Sequence, residues 1–386
     1  MKIFVYNDFI LKKKDGNVYA DDSHILFIKS ACQDHFDDFC LGSRIEQRPE
    51  TGYYFYSDKE THVLEFPFYS GVSEFLVRPK LLFSAWKLLK SQIDQFDVFW
   101  VTWPHPISFL ILYMIGPKKP VILFVRQNLE ALINVRYSGI KRWIGVLFVR
   151  LVYWYAAKFR SRASLVTVGE EMHQVLAKDF KNSKYISDSI VPEEFALEGR
   201  KSEIGSPLKL LFVGRLEPEK GLLDLIHSIR LINEKVPVTL TLIGEGVCKA
   251  ETESLAHELG LGSRVNFSGY VPFGKKLFEA YTNHDILMIS SYSEGLPKII
   301  NEARAFAIPV VSTKVGGISN ELKNGETCLF VAPGQPQQLA DAALRLVNDP
   351  DLYTQISRNL SKEFQQNSLE YWSSEFADFV KKSIPK

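Results

Sequence analysis

The chain has 386 residues, of which 46% are hydrophobic, and this length allows two or three domains with substantial cores, two being expected. Lys and Arg number 46 against 45 Asp and Glu, which excludes a global attraction to nucleic acid or to acidic surfaces. The four cysteines show neither CxxC nor zinc spacing, which indicates free thiols in a reducing compartment.

Short apolar runs alternate with longer helical patterns along the chain, which is typical of parallel βαβ units. The N-terminal MKIFVYNDFI reads as a strand rather than a signal peptide, because Asn7 and Asp8 interrupt its apolar run. In the first half the pattern predicts strands at 2–6, 98–102, 121–125 and 165–168, and the aromatic runs between 36 and 68 allow no assignment. In the second half it predicts strands in LKLLFVG, VTLTLIG, VNFSGY, DILMISS and IPVVST.

This alternation predicts two open α/β domains, residues 1–190 and 208–365. The intervening segment, 191–207, is rich in charged residues, Pro and Gly, and is predicted to be a linker. The tail, 366–386, is amphipathic and predicts a C-terminal helix that can cross back to the first domain.

One apolar stretch, WIGVLFVRLVYWYAAKF, is too interrupted by Arg150 and Lys158 to span a membrane, and basic residues flank it. Two interpretations stay open for it. A basic, aromatic helix of this kind can lie on a membrane surface, or it can be buried against a sheet.

The segment SYSEGLPKIINEARAFAIPVVST carries Glu294 and Glu302 on either side of a Gly-Leu-Pro break. Proline is best tolerated at the first position of a helix, so a helix is predicted to begin at Pro297. Both acids can then border one small volume that the free amides of the first turn also face. Amides attract a phosphate and carboxylates accept hydrogen bonds from hydroxyls, so the segment predicts a pocket for a nucleotide sugar. The alternative is one capping acid and one surface Glu.

Three loops that follow predicted strands add candidates at the ligand-binding edge of the sheet. In FVGRLEPEKGLLDLI, Arg215 and Lys220 are placed to hold a diphosphate, although exposed cations near turns are often only solvated. The IGEG of TLIGEGVCKAE lacks the third glycine of a dinucleotide fingerprint, so Gly244 indicates a tight turn near the pocket. In SGYVPFGKK the backbone around Val271 can pair with a base, or form an ordinary turn.

The series GRLEPEKG, IGEG, FSGYV and SEGLPKIINEARAFAIPVVSTKVGGISNEL, with its E-x7-E spacing, resembles retaining glycosyltransferases of the GT-B fold, family 4, the glycosyl transferases group 1. The resemblance implies two Rossmann-like domains with parallel sheets facing each other across a cleft. It implies that Arg215 and Lys220 hold the donor diphosphate, that Glu294 contacts the donor sugar and that Glu302 accepts from the ribose. It further implies that backbone amides between Leu296 and Ile299, those of Leu296, Lys298 and Ile299, meet phosphate or sugar, and that Gly295 and Pro297 also belong to the donor-binding set.

The first half is similar to the family more weakly. Members usually carry a glycine pair after the first strand, where KKKDGNVY offers only Gly16 as a donor-binding candidate. FDVFWVTWPHPISFLI leads to His105, and VILFVRQN places Arg126 and Gln127 where many members have a catalytic-pocket histidine. These three are the candidate acceptor-binding residues, and a guanidinium cannot serve as a base at neutral pH.

The sequence therefore predicts a retaining, metal-independent glycosyltransferase of surface polysaccharide or glycoconjugate biosynthesis, with Glu294, Arg215 and Lys220 as catalytic residues. Its co-substrate is a nucleotide sugar, a UDP- or GDP-sugar in preference to an ADP-sugar, and its acceptor a saccharide or lipid-linked saccharide. No cofactor, metal site or nucleic-acid partner is expected. The expected location is the cytoplasm, with peripheral contact at the inner face of the cell membrane. The alternatives are a nucleotide-sugar-binding protein without turnover and a sugar-nucleotide epimerase.

Overall fold

The computed structural model describes the chain except for residues 16, 47–52, 57–61, 117–118, 127–128, 131–132, 134–137, 158–162, 188, 201–203, 295–296 and 385–386. The chain forms two units. Unit 1 comprises Met1–Ile190 and Glu370–Lys386, and unit 2 comprises Val191–Leu369.

Unit 1 is built on one sheet with helices packed against it. Its described strands are β1 (Lys2–Lys14), β2 (Asn17–Ala20), β3 (Asp38–Glu46), β4 (Tyr54–Tyr56), β5 (His62–Phe66), β6 (Val98–Thr102), β7 (Val121–Val125), β8 (Ala163–Val168) and β9 (Ser183–Ile186). They run in the order β4-β2-β1-β6-β7-β8-β9, and β3 lies between β1 and β5. Its described helices are α1 (His24–Gln33), α2 (Glu74–Val77), α3 (Lys80–Lys90), α4 (Pro106–Ile115), α5 (Gly139–Ala157) and α6 (Glu170–Leu176).

Strand β1 is longer than the prediction of 2–6. Its first part pairs in parallel with β6, and its last part pairs antiparallel with β2, where Lys12 lies opposite Tyr19. The Asn7–Asp8 interruption falls within an irregularity of the pairing with β3, between Tyr6 and Ile10. The polar pair that ended the predicted strand therefore marks a bulge rather than a terminus, because a bulge leaves residues out of the ladder without ending it.

Unit 2 is a parallel α/β unit whose described strands are β10 (Leu208–Val213), β11 (Val238–Ile243), β12 (Val265–Phe267), β13 (Ile286–Ile289), β14 (Val310–Thr313) and β15 (Cys328–Val331). Their order is β12-β11-β10-β13-β14-β15, and each neighbouring pair is parallel. The described helices are α7 (Leu222–Asn233), α8 (Lys249–Glu258), α9 (Lys275–Asn283), α10 (Ile299–Ala305), α11 (Ile318–Glu321), α12 (Pro336–Asn348) and α13 (Pro350–Phe364). Because the strands are parallel, the loops that leave their carboxyl ends gather at one edge.

The segment predicted to be a linker is not a free tether. The Leu197 amide donates to the carbonyl of Ala305 at 2.8 Å, and the Arg200 guanidinium donates to the carbonyls of Tyr281, His284 and Phe306. These carbonyls lie at the carboxyl-terminal ends of α9 and α10, where a cation is favoured by the helix dipole. Arg200 therefore fastens the described part of this segment to unit 2.

The C-terminal helix α14 (Leu369–Ser383) packs on the sheet of unit 1. Phe376 is fully buried, and its ring centroid lies 4.3 Å from that of Trp100 on β6. Ser373 hydrogen-bonds Ser30 of α1 at 2.8 Å. The last helix of the chain is therefore part of the core of unit 1.

Candidate functional site

The loop that carries Glu294 leaves the carboxyl end of β13 and enters α10. Glu294 Oε1 lies 2.6 Å from the Nζ of Lys220, and it accepts a hydrogen bond from the Ser291 hydroxyl at 2.6 Å. The side chain of Lys220 is only 14% exposed and that of Glu294 only 9%. Lys220 ends a single helical turn, Pro218–Lys220, that follows β10. The structure thus brings an ammonium and a carboxylate together, largely shielded from water, at the edge where parallel sheets bind ligands.

Three hydrogen bonds from backbone or hydroxyl groups hold this loop against the neighbouring loops. The amide of Tyr292 donates to the carbonyl of Glu219 at 2.8 Å, and the hydroxyl of Ser290 donates to the carbonyl of Lys220 at 2.7 Å. On the other side, the hydroxyl of Thr313 donates to the carbonyl of Ser291 at 2.6 Å. The position of Glu294 is therefore determined by the loop after β10 and by the last residue of β14.

Two glycines allow the loops to approach this closely. A Cβ on Gly221, whose φ is +61°, would lie 2.2 Å from the carbonyl oxygen of Ser290. A Cβ on Gly316, whose φ is +47°, would lie 1.9 Å from the carbonyl oxygen of Glu294. Only glycine combines that backbone conformation with so short a distance. The loop that carries Glu294 therefore lies in close contact with Gly221 on one side and with Gly316 on the other.

Gly244 fulfils a similar requirement one strand away. Its φ is +145°, and a Cβ there would lie 1.8 Å from the carbonyl oxygen of Gly214. Its amide donates to the carbonyl of Gly269 at 2.8 Å, so three successive strand-end loops touch at this position. Val271, in the third of these loops, packs its partly buried side chain against the core of unit 2.

Arg215 and Glu302 lie in different surroundings. The Arg215 side chain is 73% exposed and pairs with Glu219 at 3.3 Å. Glu302 is only 5% exposed and accepts a hydrogen bond from the hydroxyl of Tyr281, which lies on α9. Burial raises the pKa of the Glu302 carboxyl, and the hydrogen bond from Tyr281 opposes that rise. Lys220 and Glu294 are thus in direct contact, while Arg215 and Glu302 have other partners, and the ribose role of Glu302 stays a prediction.

The helix that was predicted to begin at Pro297 begins at Ile299. The carbonyl of Pro297 accepts from the amide of Ile300, and the carbonyl of Lys298 accepts from the amides of Asn301 and Glu302. Proline therefore precedes the helix by two residues and contributes a carbonyl to its first turn. The candidates Gly16, Gln127, Gly295 and Leu296 lie outside the described residues.

In unit 1, His105 caps α4 and lies within a buried polar cluster. Its Nδ1 accepts from the amide of Ile107 at 3.2 Å and lies 3.0 Å from the Tyr6 hydroxyl, and its Nε2 lies 3.1 Å from the Tyr69 hydroxyl. The Tyr69 hydroxyl also donates to Asp8, the residue of the β1 bulge. His105 is 4% exposed, and burial, assisted by the Arg44 guanidinium, lowers its pKa to about 3.

The Arg126 guanidinium lies 3.6 Å from a carboxylate oxygen of Asp22, and its side chain is 27% exposed. Asp22 precedes α1, and its carboxylate also accepts from the amide of His24 at 2.9 Å. Arg126 is thus held at the carboxyl end of β7. Within the part of the chain that the structure describes, no group of three or more His, Cys, Asp and Glu side chains is placed to hold a metal ion.

Several residues that shape these sites were not singled out from the sequence. Ser291 stands three residues before Glu294 in SYSEG, and that local spacing was the available signal for a hydroxyl bonded to the carboxylate. Tyr281 and Asp8 reach Glu302 and Tyr69 over 21 and 61 residues, and no local pattern marks such contacts.

Residues 196–363 match the model of the family described as glycosyl transferases group 1. This segment lies in unit 2 and includes Lys220, the Glu294 loop and Gly316. This segment of the chain is therefore similar to the glycosyl transferases group 1. The fold of the chain is GT-B, as the sequence predicted.

The D-inositol 3-phosphate glycosyltransferase of Corynebacterium efficiens is 32% identical over 166 residues, which cover 40% of this chain and 39% of that protein. The chain therefore matches about two fifths of the length of this relative. CapM of Staphylococcus aureus, a capsular polysaccharide biosynthesis glycosyltransferase, is 26% identical over 292 residues, covering 70% of this chain and 73% of CapM.

The crystal structure of HepE from Anabaena in complex with UDP superposes with a TM-score of 0.70 at 17% identity. The match covers 99% of this chain and 100% of HepE, so the likeness of fold extends over both units. In the described part of this chain, no helix has both the length and the apolar character that crossing a bilayer requires.

Proposed function

We propose that this protein transfers a sugar from a nucleotide-sugar donor, bound at the loop edge of unit 2, to a saccharide or lipid-linked saccharide acceptor. The observation that carries the proposal is the shielded contact of Lys220 with Glu294 inside the segment that matches the group 1 family. An ammonium suits the donor diphosphate, and a carboxylate beside it suits the hydroxyls of the sugar.

In the proposed complex Lys220 turns from Glu294 to the donor phosphates, and Arg215 joins it. The exposed Arg215 side chain is held by an i,i+4 surface pair, which is weak enough for the guanidinium to change partner. Both cations stabilise the charge that develops on the leaving diphosphate. Glu294, released from Lys220 but still bonded to Ser291, accepts from the donor sugar.

The remaining donor contacts are proposed along the same edge. The amides of Leu296, Lys298 and Ile299 meet phosphate or sugar, beside Gly295 and Pro297. Glu302 accepts from the ribose, and the backbone at Val271 pairs with the base. Gly244 is proposed to lie beside the nucleotide because its turn is too close to Gly214 to carry a side chain. Gly16, which lies outside the described residues, stays a predicted donor-binding residue.

The proposed reaction retains the anomeric configuration of the sugar and needs neither a metal ion nor a covalent protein nucleophile. The acceptor attacks the face that the diphosphate leaves, and the departing phosphate assists removal of the acceptor proton. HepE was solved with UDP and with UDP-glucose, which favours a UDP-sugar over a GDP-sugar as the donor to test first. The name of CapM supports a place in surface polysaccharide biosynthesis.

On unit 1 we propose that His105, Arg126 and Gln127 serve the acceptor. A histidine with a pKa near 3 is neutral at physiological pH, so His105 acts as a positioning residue for the Tyr69 and Asp8 side chains. Arg126 offers a charge that can orient an anionic acceptor group. A lipid-linked acceptor and a peripheral contact at the inner face of the cell membrane complete the proposal.

Calorimetric titration with UDP-, GDP- and ADP-sugars tests donor binding, and mass spectrometry of products with saccharide acceptors tests transfer. We expect one UDP- or GDP-sugar to bind, slow hydrolysis of it without acceptor, and turnover that persists in EDTA. Proton NMR of the product then reports the anomeric configuration. Tight binding without hydrolysis or transfer would instead identify a nucleotide-sugar-binding protein, and an altered sugar on an intact nucleotide would identify an epimerase.

A further inference from the structure

Helix α5 presents large apolar side chains to solvent along one side. They are each between 54% and 78% exposed, and they are Ile140, Trp143, Ile144, Leu147, Phe148, Leu151 and Trp154. At 100° per residue these positions fall within an arc of about 140°, so they form one continuous face, which we call the outer face of α5. Isolated exposed hydrophobics are normal on proteins, but a contiguous face of this kind marks a binding surface.

The opposite face of the same helix is fixed to the protein. Val146, Val149, Val152 and Ala156 are at most 9% exposed, and Val152 and Ala156 belong to the core of unit 1. Because this side is packed, the helix cannot hide its outer face by turning about its axis. The outer face is consequently a permanent feature of the folded protein.

The charges on α5 are all positive. The sequence of Gly139–Ala157 contains Lys141, Arg142 and Arg150 and no Asp or Glu. On the helix, Lys141 and Arg150 lie at the two edges of the outer face, about 100° and 80° from its centre line. Arg150 pairs with Glu130 at 3.0 Å, but both side chains are exposed, at 68% and 37%, so the pair is weak. An apolar strip with a cation along each edge complements an anionic lipid surface.

We propose that the outer face of α5 docks on an anionic lipid bilayer, with the helix lying in the plane of the membrane. Trp143 and Trp154 are eleven residues apart, about 16 Å along the helix, so an indole anchors each end at the headgroup boundary. A second copy of the chain would bring the same cationic edges together, which disfavours self-association through this face. The proposal deepens the peripheral membrane contact of the proposed function and does not depend on sugar transfer.

Co-sedimentation of the full chain with vesicles of phosphatidylcholine, with and without phosphatidylglycerol, tests this docking. We expect binding only to the anionic vesicles, weakening with added NaCl. Replacing Lys141 or Arg150 by Gln is expected to lower the partition coefficient about fivefold each. The double variant Leu147→Glu/Leu151→Glu is expected to lower it more than about tenfold, since it places charges in the face that enters the lipid.

The matched control is Val175→Glu, which puts the same charge on a 59% exposed apolar residue of α6 and is expected to leave vesicle binding unchanged. Brominated lipids are expected to quench the wild-type tryptophan fluorescence and to lose most of that effect in Trp143→Phe/Trp154→Phe. Vesicle binding that survives Leu147→Glu/Leu151→Glu, or wild-type dimers that this variant dissolves, would overturn the proposal. UDP affinity, measured on the same variants, separates this outcome from a failure of the donor site, because we expect it to stay unchanged.

Discussion

The contact between Lys220 and Glu294 predicts a specific pattern of stability changes. Lys220→Met leaves a carboxylate that is 9% exposed without its cation, and Glu294→Gln leaves an ammonium that is 14% exposed without its anion. Each single change is expected to cost about 3 kcal/mol of unfolding free energy, because an uncompensated buried charge is strongly destabilising. The double variant removes both charges, so its cost is expected to fall short of the sum by about 2 kcal/mol.

The assay must report on unit 2, and tryptophan fluorescence does not, since every tryptophan of the chain lies in unit 1: Trp86, Trp100, Trp103, Trp143, Trp154 and Trp372. Hydrogen exchange of the buried amides of β10 gives the free energy of opening of unit 2 instead. The exposed pair of Lys323 and Glu326, 3.9 Å apart, supplies the control, and Lys323→Met is expected to change stability by less than about 0.5 kcal/mol. Additive single and double costs would refute the view that the two charges compensate each other.

The same variants separate stability from donor binding. Lys220→Met is expected to lower UDP affinity about 10- to 100-fold, the value of a charge-assisted hydrogen bond. Glu294→Gln is expected to raise UDP affinity, because it frees Lys220 and removes a negative charge beside the phosphates, while it abolishes sugar transfer. Arg215→Gln is expected to weaken UDP without changing stability, since its side chain is 73% exposed. A Glu294→Gln variant that binds UDP more weakly than wild type would contradict the exchange of partners proposed for Lys220.

Three further predictions concern groups around the two sites. His105→Asn keeps a capping side chain but removes a group whose pKa falls from 6.5 to about 3 on folding. As pH drops between these values, the unfolding free energy of wild-type unit 1 is therefore expected to fall by about 1.4 kcal/mol per pH unit more than that of the variant. Urea unfolding followed by tryptophan fluorescence measures this difference. Tyr281→Phe removes the donor to the buried Glu302 and is expected to cost about 1–3 kcal/mol in hydrogen exchange of unit 2, with a larger cost at pH values above the raised pKa, where the carboxyl is ionised. Gly316→Ala is expected to lower both stability and UDP affinity, because its Cβ would strike the carbonyl of Glu294. The control is Gly325→Ala, where φ is +78° and the space around the Cβ is open. It is expected to cost about 1 kcal/mol of unfolding free energy and to leave UDP affinity unchanged in calorimetry.

The architecture could be predicted where local pattern and pairing agree. The predicted bounds 98–102 and 121–125 coincide with β6 and β7, because these strands are buried on both faces and read as continuous apolar runs. The bounds of β1 were wrong because its last part is held by β2 and β3, and partner strands are not visible in a local window. The length of β1 is thus set by pairing with strands that are distant in sequence, which the apolar run alone does not reveal.

For the candidate site, the sequence predicted the candidate residues, and the structure shows which partners they contact. Lys220 and Glu294 are 74 residues apart, and their contact depends on two parallel strands, β10 and β13, being neighbours. The close approach of Gly221 depends on the same pair of strands, and that of Gly316 depends on β14, the neighbour of β13 on its other side. By contrast, the environment of Glu302 could not be predicted, because the carboxyl turns toward α9 and a helical wheel of α10 carries no information about that helix.

Helix α5 marks the limit of periodicity as a guide to burial. Its sequence is apolar on all sides, so the pattern predicts a helix but not the side that faces the protein. Burial is found for the inner side alone, and the membrane-surface interpretation stays a prediction. Valines fill the inner side, where the sheet of unit 1 packs, while Trp, Leu, Ile and Phe occupy the outer face. Ordinary surface helices keep charged residues on that side. The proposed docking on a bilayer with anionic headgroups would cover this face, because such a bilayer offers an apolar interior behind a negatively charged surface.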